Sequence, residues 1–191
     1  MADDYTLKEF IDGVTRALAS GQSDIDRIRA VEPMLRMLLK NRFALEEKFR
    51  VPLSNSYAQY LVHKPVDDSF SIVSFVWLPG QKTPIHDHTV WGLIGVYEGE
   101  EEEERFKRLD DKSRPDYAEL RSLGCHVSRP GDVSYVCPPN NDIHLVRNAS
   151  SAPSLSIHIY GCNIGDRERH LFDRETCTVA PFRSGYTPLQ S

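Results

Sequence analysis

The amino-acid sequence predicts a mainly β protein, a sandwich or small barrel, that follows a helical N-terminal segment. Residues 69–78 are rich in Phe, Ile, Val and Trp and end at Pro79-Gly80, and residues 90–97 form a second β-prone run. Further short segments follow, separated by Gly, Pro, Asn and Asp. Many short strands with such punctuation are typical of a sandwich or a barrel.

The first fifty residues have a helical pattern. Thr6 and Glu9 have the spacing of a capping box, and apolar residues then recur at helical intervals. A second helical region follows Ser23, and Pro33 is expected to divide it. The apolar stripe after Pro33, the expected packing face, consists of Met34, Leu35, Leu38 and Leu39. We therefore expect a helical segment at 1–50 packed on a barrel at 51–191, within a single domain.

Composition excludes several classes of function. The net charge of −5 gives no electrostatic footprint for nucleic acid or an anionic membrane, and no apolar run approaches the length of a membrane span. The first four residues lack the basic and apolar blocks of a signal peptide, which predicts a cytoplasmic protein. The four cysteines form no C-x-x-C pair and are expected to be free thiols; Cys162 is expected to be a packing residue.

Three histidines have a pattern that suits a metal ion. His86 and His88 lie two residues apart, so on a β-strand their side chains point to the same face, and His144 supplies a third imidazole. Neutral imidazole is a ligand for Zn, Cu, Fe and Ni. An H-x-H pair alone is also common among surface or hydrogen-bonded histidines, so the pair by itself leaves both interpretations open.

Residues 154–160 alternate strictly between apolar and polar side chains. Ser156, His158 and Tyr160 share one face of the predicted strand, and only apolar residues share the other. The polar face predicts either a hydrogen-bonded relay inside the barrel or a solvated face of an antiparallel strand. A separate acidic run, Glu98 with Glu100 to Glu104, lacks the spacing of a calcium loop and is interpreted as a solvated strand end or hairpin.

The surroundings of the histidines resemble the two characteristic segments of the cupin superfamily. Gly80 precedes the H-x-H pair by six residues, Pro139 precedes His144 by five, and Asn148 follows it by four. Cupins are small jelly-roll-like β-barrels that bind a metal through histidines of these segments. The resemblance implies a mainly β fold, a cupin β-barrel with an N-terminal helical subdomain.

Together with the polar strand, the pattern is similar to the thiol dioxygenases, from about Tyr57 to His170. The resemblance implies that Fe(II) is bound by His86, His88 and His144. It implies an outer-sphere triad of Ser156, His158 and Tyr160, with the tyrosine hydroxyl near the iron. Gln59 occupies the segment where cysteine-specific members place a substrate-binding arginine, and it is expected to bind the substrate carboxylate through uncharged amide N–H groups. In the similar Gln-type bacterial members a later arginine binds the substrate carboxylate, and here Arg169 or Arg167 matches it.

The chain departs from common cupin patterns in three places. Trp91-Gly92-Leu93 stands where many cupins carry a glutamate ligand, so three neutral imidazoles without a carboxylate are expected. No cysteine lies between His88 and Gly99, so the Cys-Tyr cross-link of animal cysteine dioxygenases is not expected. Asn141 replaces a usual glycine of the second segment, a mild change because Asn tolerates a left-handed backbone.

The implied activity is oxidation of a small mercapto acid, 3-mercaptopropionate and/or L-cysteine, with O2 to the corresponding sulfinate. The expected partners are therefore a small thiol and O2, with no nucleic acid and no membrane. A zinc or manganese cupin isomerase or epimerase and a non-catalytic metal-binding cupin are the alternatives. The sequence leaves open the physiological thiol, the choice between Arg169 and Arg167, and the oligomeric state.

Overall fold

A computed structural model describes residues 5–19 and 23–189, and in these ranges the chain forms two α-helices, a short 3-10 helix (Glu47–Phe49) and eleven strands. The helices are α1 (Leu7–Leu18) and α2 (Asp24–Leu38). The strands are β1 (Ala58–His63), β2 (Ser71–Trp77), β3 (Ile85–His86), β4 (Gly92–Glu98), β5 (Glu101–Arg108), β6 (Leu120–Ser128), β7 (Val133–Val136), β8 (Ile143–Asn148), β9 (Ser154–Tyr160), β10 (Arg169–Asp173) and β11 (Thr178–Phe182). The first four residues, on which the cytoplasmic prediction rests, lie outside the described ranges.

The strands form two antiparallel sheets, as predicted for a mainly β fold. The first sheet has the order β1-β2-β9-β4-β7, and the second has the order β11-β10-β3-β8-β5-β6. The inner faces of the sheets meet, because Tyr160 of β9 stacks on His88, which follows β3. The hairpin of β10 and β11 adds the C-terminal segment to the second sheet. In the described residues, neither helix is long and apolar enough to cross a membrane.

Helix α1 begins where the sequence predicts. The Thr6 hydroxyl accepts a hydrogen bond from the Glu9 backbone N–H, and the Glu9 carboxylate accepts one from the Thr6 N–H at 2.8 Å. The prediction that Pro33 divides the second helix is wrong, because α2 continues through it. Proline removes one backbone hydrogen bond. Buried apolar side chains on both sides of Pro33 keep the helix on the barrel: Ile28, Val31, Leu35 and Leu38.

The helices cover the outer face of the first sheet. Leu155, Ile157 and Ile159 of β9 belong to the same buried apolar cluster as Phe10 of α1 and Leu35 of α2. The opposite face of β9, with its polar residues, is also buried, so every residue of this strand is inaccessible. The solvated-face interpretation of this strand is therefore excluded, because the helices and the second sheet cover both of its faces.

The acidic run spans the end of β4, a short turn and the first half of β5, and it is not fully solvated. It is not a hairpin, because β4 and β5 belong to different sheets. Gly99 has a φ of +74° in the connecting turn, a conformation that favours glycine. Glu101 and Glu103 are 3% and 8% exposed, respectively. Alternate residues of a strand point to the same face, so the strand that carries the run points these two carboxyl groups into the barrel. The prediction of a solvated run is wrong for these residues.

Candidate metal centre

The three predicted histidines converge inside the barrel. His86 of β3 and His144 of β8 are direct register partners, and His88 follows two residues after the first. All three are buried, and each pair of rings has a centroid separation of 4.8 Å. One nitrogen from each ring lies within 4.8 Å of the others. The histidines therefore form a cluster that could hold one metal ion.

Each imidazole is oriented by a hydrogen bond from its Nδ1 atom. His86 contacts the Pro84 carbonyl oxygen at 3.0 Å, His88 the Asp142 carbonyl oxygen at 3.1 Å, and His144 the Glu103 carboxylate at 2.5 Å. Because these acceptors bind N–H groups, they fix the tautomer that leaves Nε2 as the ligand atom. The Nε2 atom of His88 is buried and has no hydrogen-bond partner, as a metal-ligating nitrogen would.

The electrostatics of the cluster suit a cation. Burial, and then the neighbouring His144, hold the pKa values of His86 and His88 well below their usual range, so both imidazoles are neutral at neutral pH. Burial acts to raise the pKa of Glu103, but the His144 hydrogen bond and the charges of His144 and Arg105 lower it on balance. Three imidazole nitrogen donors backed by one carboxylate fit a transition metal, whereas Ca²⁺ and Mg²⁺ prefer oxygen ligands.

The Glu103→Gln variant is expected to bind metal about 10-fold more weakly, because the amide accepts the His144 hydrogen bond without supplying negative charge. A competition titration against a chelator measures this affinity. Glu104→Gln is the matched control, since Glu104 lies on the same strand and points to the opposite face. Equal metal affinities of the two variants would show that the Glu103 charge does not support the cluster.

A hydrogen-bonded chain from β9 reaches the histidine cluster. The Tyr160 hydroxyl lies 2.8 Å from His158 Nδ1, and His158 Nε2 lies 2.8 Å from Ser156 Oγ. The Tyr160 ring stacks on His88 at 5.5 Å with an interplanar angle of 17°. Burial, and then the charge of His144, lower the pKa of His158 to about 3, so this imidazole is neutral. The three polar residues of β9 thus occur in the order predicted from their alternation, within contact of a candidate metal ligand.

Gly92 allows this position of the tyrosine ring. A Cβ atom at residue 92 would lie 2.7 Å from Tyr160 Cδ1 and 3.1 Å from a methyl group of Val136. Such distances are too short for van der Waals contact, so any larger residue would displace the ring. The glycine in the stretch that departs from the common cupin pattern therefore has a packing role beside Tyr160.

A cavity next to the cluster brings the remaining predicted site residues together. Gln59, His86, Tyr160 and Arg169 all line it, and the aromatic ring of Phe182 forms part of its wall. These residues come from β1, β3, β9, β10 and β11, which span both sheets. A small molecule in this cavity would contact a candidate metal ligand, a tyrosine and a buried arginine at once.

Arg169 is a buried cation without a counter-ion. It is 4% exposed, donates from Nη2 to Ser184 Oγ at 2.9 Å, and lies over the Phe182 ring at 4.5 Å. Its Nε atom is buried without a hydrogen-bond partner, and no carboxylate in the described ranges forms an ion pair with it. Burial lowers the pKa of its guanidinium. Because a buried unpaired charge is costly, the arrangement indicates that an anion completes this site.

Arg167, the other predicted candidate, lies elsewhere. Its side chain is exposed, and it donates from Nε to Thr89 Oγ1 at 2.9 Å, next to the turn that follows His88. It is not among the residues that line the cavity. Of the two arginines, Arg169 is therefore the one that a ligand in the cavity would contact.

Gln59 lines the cavity but offers a different group from the one that the sequence suggests. Its Nε2 atom donates to Ser184 Oγ and to the Gly185 carbonyl oxygen, both at 3.1 Å. A carbonyl oxygen can only accept, so the amide NH2 must face Gly185. Both amide N–H groups are thus used within the chain, and Oε1, an acceptor, remains for a ligand. The substrate-binding role of Gln59 stays a prediction.

Sequence reasoning missed several residues of the site. Glu103 could have been found from strand alternation, which places it with Glu101 on one face of β5. The Asp142 carboxylate accepts hydrogen bonds from the backbone N–H groups of His88 and Thr89 at 3.0 and 3.1 Å, and no sequence pattern indicates this contact. Ser184, which holds both Gln59 and Arg169, lies in an irregular C-terminal segment that gives no local signal.

The cysteines agree with the sequence prediction, since all four are free thiols. Cys162 is half-buried and packs against the apolar cluster around Tyr160, which supports its interpretation as a packing residue. Burial raises the pKa of its thiol, so the group stays protonated at neutral pH.

Fold and site together define a cupin-type β-barrel with a candidate three-histidine metal centre. No family model matches the chain. Among solved structures, the chain is similar to an uncharacterised conserved protein with a double-stranded β-helix domain from Klebsiella pneumoniae subsp. pneumoniae MGH 78578, with a TM-score of 0.50 and 16% identity over 65% of this chain and 86% of that one.

Two further structures have lower TM-scores. An RmlC-like cupin family protein with a double-stranded β-helix fold from Methanocaldococcus jannaschii has a TM-score of 0.40 and 16% identity, covering 57% of this chain and 83% of that one. The protein TT1209 from Thermus thermophilus has a TM-score of 0.43 and 18% identity, covering 61% of this chain and 92% of that one. At these identities a likeness concerns the fold alone, and the structure with a TM-score of 0.50 supports a double-stranded β-helix.

Proposed function

We propose that the protein is a non-haem iron thiol dioxygenase that oxidises a small mercapto acid, 3-mercaptopropionate and/or L-cysteine, to its sulfinate. The observation that carries the proposal is the buried, unpaired Arg169 in the same cavity as His86 and Tyr160. A carboxylate held by the guanidinium would leave the other end of a short substrate beside the histidine cluster. The sequence pattern of His86, His88, His144 and the polar strand supports the same class of enzyme.

The reaction balances without an external reductant. A thiol and dioxygen give a sulfinate and one proton, because the sulfur supplies all the electrons that dioxygen accepts. A ferrous ion held by the three histidines would supply thiolate coordination and dioxygen activation. The remaining tasks of binding the carboxylate, excluding water and handling the proton fall to side chains of this chain.

The cavity has groups suited to each of these tasks. Arg169 can bind a carboxylate through charge-assisted hydrogen bonds, stronger than those of a neutral donor. Phe75, Phe182 and Tyr57 contribute an apolar wall that limits water around the reacting thiol. Tyr160 presents a hydroxyl group to the cavity, oriented by its hydrogen bond to His158. Its pKa is raised by burial, so it acts as a neutral phenol.

Oxygen consumption by the Fe(II)-loaded protein tests the proposal, with 3-mercaptopropionate, L-cysteine and cysteamine offered separately. The two carboxylate thiols are expected to be oxidised to sulfinates, identified by mass spectrometry. Cysteamine, which has no carboxylate for Arg169, is expected to react poorly. Absence of oxygen uptake with every thiol would overturn the proposal and favour a non-catalytic cupin. Turnover of another substrate with bound zinc or manganese would favour the isomerase or epimerase alternative.

The Tyr160→Phe variant is expected to lower kcat about 100-fold, the low end of the range for loss of a proton-handling group, while metal content stays unchanged. The phenyl ring preserves the stacking on His88 and removes only the hydroxyl group. Steady-state kinetics and metal analysis measure the two quantities. Tyr135→Phe is the matched control, because Tyr135 is exposed. An unchanged kcat in Tyr160→Phe would exclude the hydroxyl group from the reaction.

A further inference from the structure

A second buried carboxyl group, besides that of Glu103, lies near Ser156, at the end of the Ser156–His158–Tyr160 row that is opposite Tyr160. Glu101 of β5 is 3% exposed, and it faces the hydroxyl groups of Ser154 and Ser156 and the indole N–H of Trp77. Both carboxyl oxygens, Ser154 Oγ and Trp77 Nε1 are buried without a hydrogen-bond partner in range. Four unpaired polar atoms at one place are unusual in a protein interior, and Ser156, which is hydrogen-bonded to His158, lies near the same carboxyl group.

The surroundings of Glu101 favour its neutral acid form. No Lys or Arg of the described chain forms an ion pair with it. The nearby titratable groups are Glu103 and His144, which line the same small cavity as Glu101, and His158, which lies beyond Ser156. Burial raises the pKa of Glu101 to about 8. A carboxylic acid, unlike a carboxylate, has one O–H donor and one carbonyl acceptor.

The neutral acid fixes the direction of every hydrogen bond that follows. The Trp77 N–H can only donate, so the Glu101 carbonyl oxygen faces it and the O–H group faces Ser156. Ser156 then donates to His158 Nε2, and His158 donates from Nδ1 to the Tyr160 oxygen. The tyrosine proton is left to point into the cavity.

Ionisation of Glu101 exchanges the donor and acceptor roles along this row of side chains. A carboxylate only accepts, so the Ser156 hydroxyl group turns to Glu101 and accepts from His158 Nε2–H. His158 Nδ1 then carries a lone pair and accepts the tyrosine proton. Tyr160 can no longer donate to a ligand in the cavity.

We propose that Glu101 is a positioning residue that sets the direction of the Ser156–His158–Tyr160 hydrogen bonds and so decides whether Tyr160 donates to the cavity. The hydrogen-bonded row of Ser156, His158 and Tyr160, with the buried Glu101 carboxyl group near Ser156, carries this inference. Its consequence for turnover rests on the proposed function, since Tyr160 must donate during thiol oxidation for the direction to matter.

The tautomer of His158 reports the direction without any need for turnover. Nitrogen NMR of the full chain labelled with ¹⁵N-histidine, recorded at about pH 6.5 and about pH 9.5 on either side of the Glu101 pKa, distinguishes the two tautomers. A His158→Gln variant assigns the signal. The wild-type protein is expected to change from the Nδ1–H to the Nε2–H tautomer as pH rises.

Glu101→Gln is expected to keep the Nδ1–H tautomer at both pH values, because its NH2 group donates to Ser156 and cannot ionise in this range. Glu104→Gln, a control on the opposite face of β5, is expected to follow the wild type. An unchanged His158 tautomer in the wild type, or the same change in Glu101→Gln, would overturn the inference. The wild-type titration alone decides the question if Glu101→Gln does not fold.

Kinetics separate this inference from the proposed function. If the protein oxidises thiols, its rate is expected to fall above about pH 8, and Glu101→Gln is expected to lose this decrease. A protein that oxidises no thiol would contradict the proposed function, while the tautomer of His158 would still decide the role of Glu101.

Discussion

The His86→Ala variant is expected to lose stoichiometric Fe(II) binding and all measurable oxygen consumption with thiols. The His86 ring lies 4.8 Å from the ring of each of the other two candidate ligands, and its Nδ1 atom is fixed by the Pro84 carbonyl oxygen. Two imidazoles hold an ion far less tightly than three, because each coordination bond contributes to the binding free energy. Metal analysis after gel filtration and an oxygen electrode measure the two losses.

His126→Ala is the control for this variant. His126 is an exposed histidine of the edge strand β6, two strands from β8, which carries His144. It is expected to keep metal and activity at the wild-type level. Full metal content in His86→Ala would contradict the three-histidine centre, and equal losses in both variants would indicate a general effect of histidine removal.

The Arg169→Met variant is expected to lower kcat/KM for 3-mercaptopropionate about 10- to 150-fold, which corresponds to the 1.5–3 kcal/mol of a hydrogen bond to a charged group. Methionine keeps an unbranched apolar side chain next to Phe182 and removes the guanidinium. Activity toward cysteamine, which has no carboxylate, is expected to change little. The ratio of the two rates therefore isolates the contribution of the carboxylate contact.

Arg167→Met is the matched control, because Arg167 is exposed and binds Thr89 outside the cavity. Its kcat/KM is expected to stay within about 2-fold of the wild type, since exposed polar contacts contribute little. A larger loss in Arg167→Met than in Arg169→Met would reverse the assignment of the carboxylate-binding residue.

Arg169→Met also has a readout that does not depend on activity. Removing a buried cation without a counter-ion is expected to raise the free energy of unfolding of the substrate-free protein by about 1 kcal/mol. Denaturant unfolding measures this change. A variant that loses activity and gains stability has the signature of a binding group held in an unfavourable environment. A loss of both would indicate that Arg169 supports the fold instead.

Local rules predicted the secondary structure well because local contacts determine much of it. The capping box of Thr6 and Glu9 and the strict alternation in β9 depend on residues a few positions apart, and both are present in the structure. The continuous helix through Pro33 could not be predicted in this way. Its stability depends on apolar contacts with distant strands, which compensate for the hydrogen bond that proline removes.

The sequence by itself determined the mainly β architecture and the shared face of His86 and His88, because strand periodicity is a local property. The addition of His144 to this pair came from the family resemblance, and it is realised by the pairing of β3 with β8. Tertiary structure alone decided that Arg169 and not Arg167 faces the cavity, that the Gln59 amide is turned toward Gly185, and that two glutamates of the acidic run are buried. These outcomes depend on which side chains and backbone groups from remote strands face one another, and that pairing exists only after the two sheets have closed around a common interior.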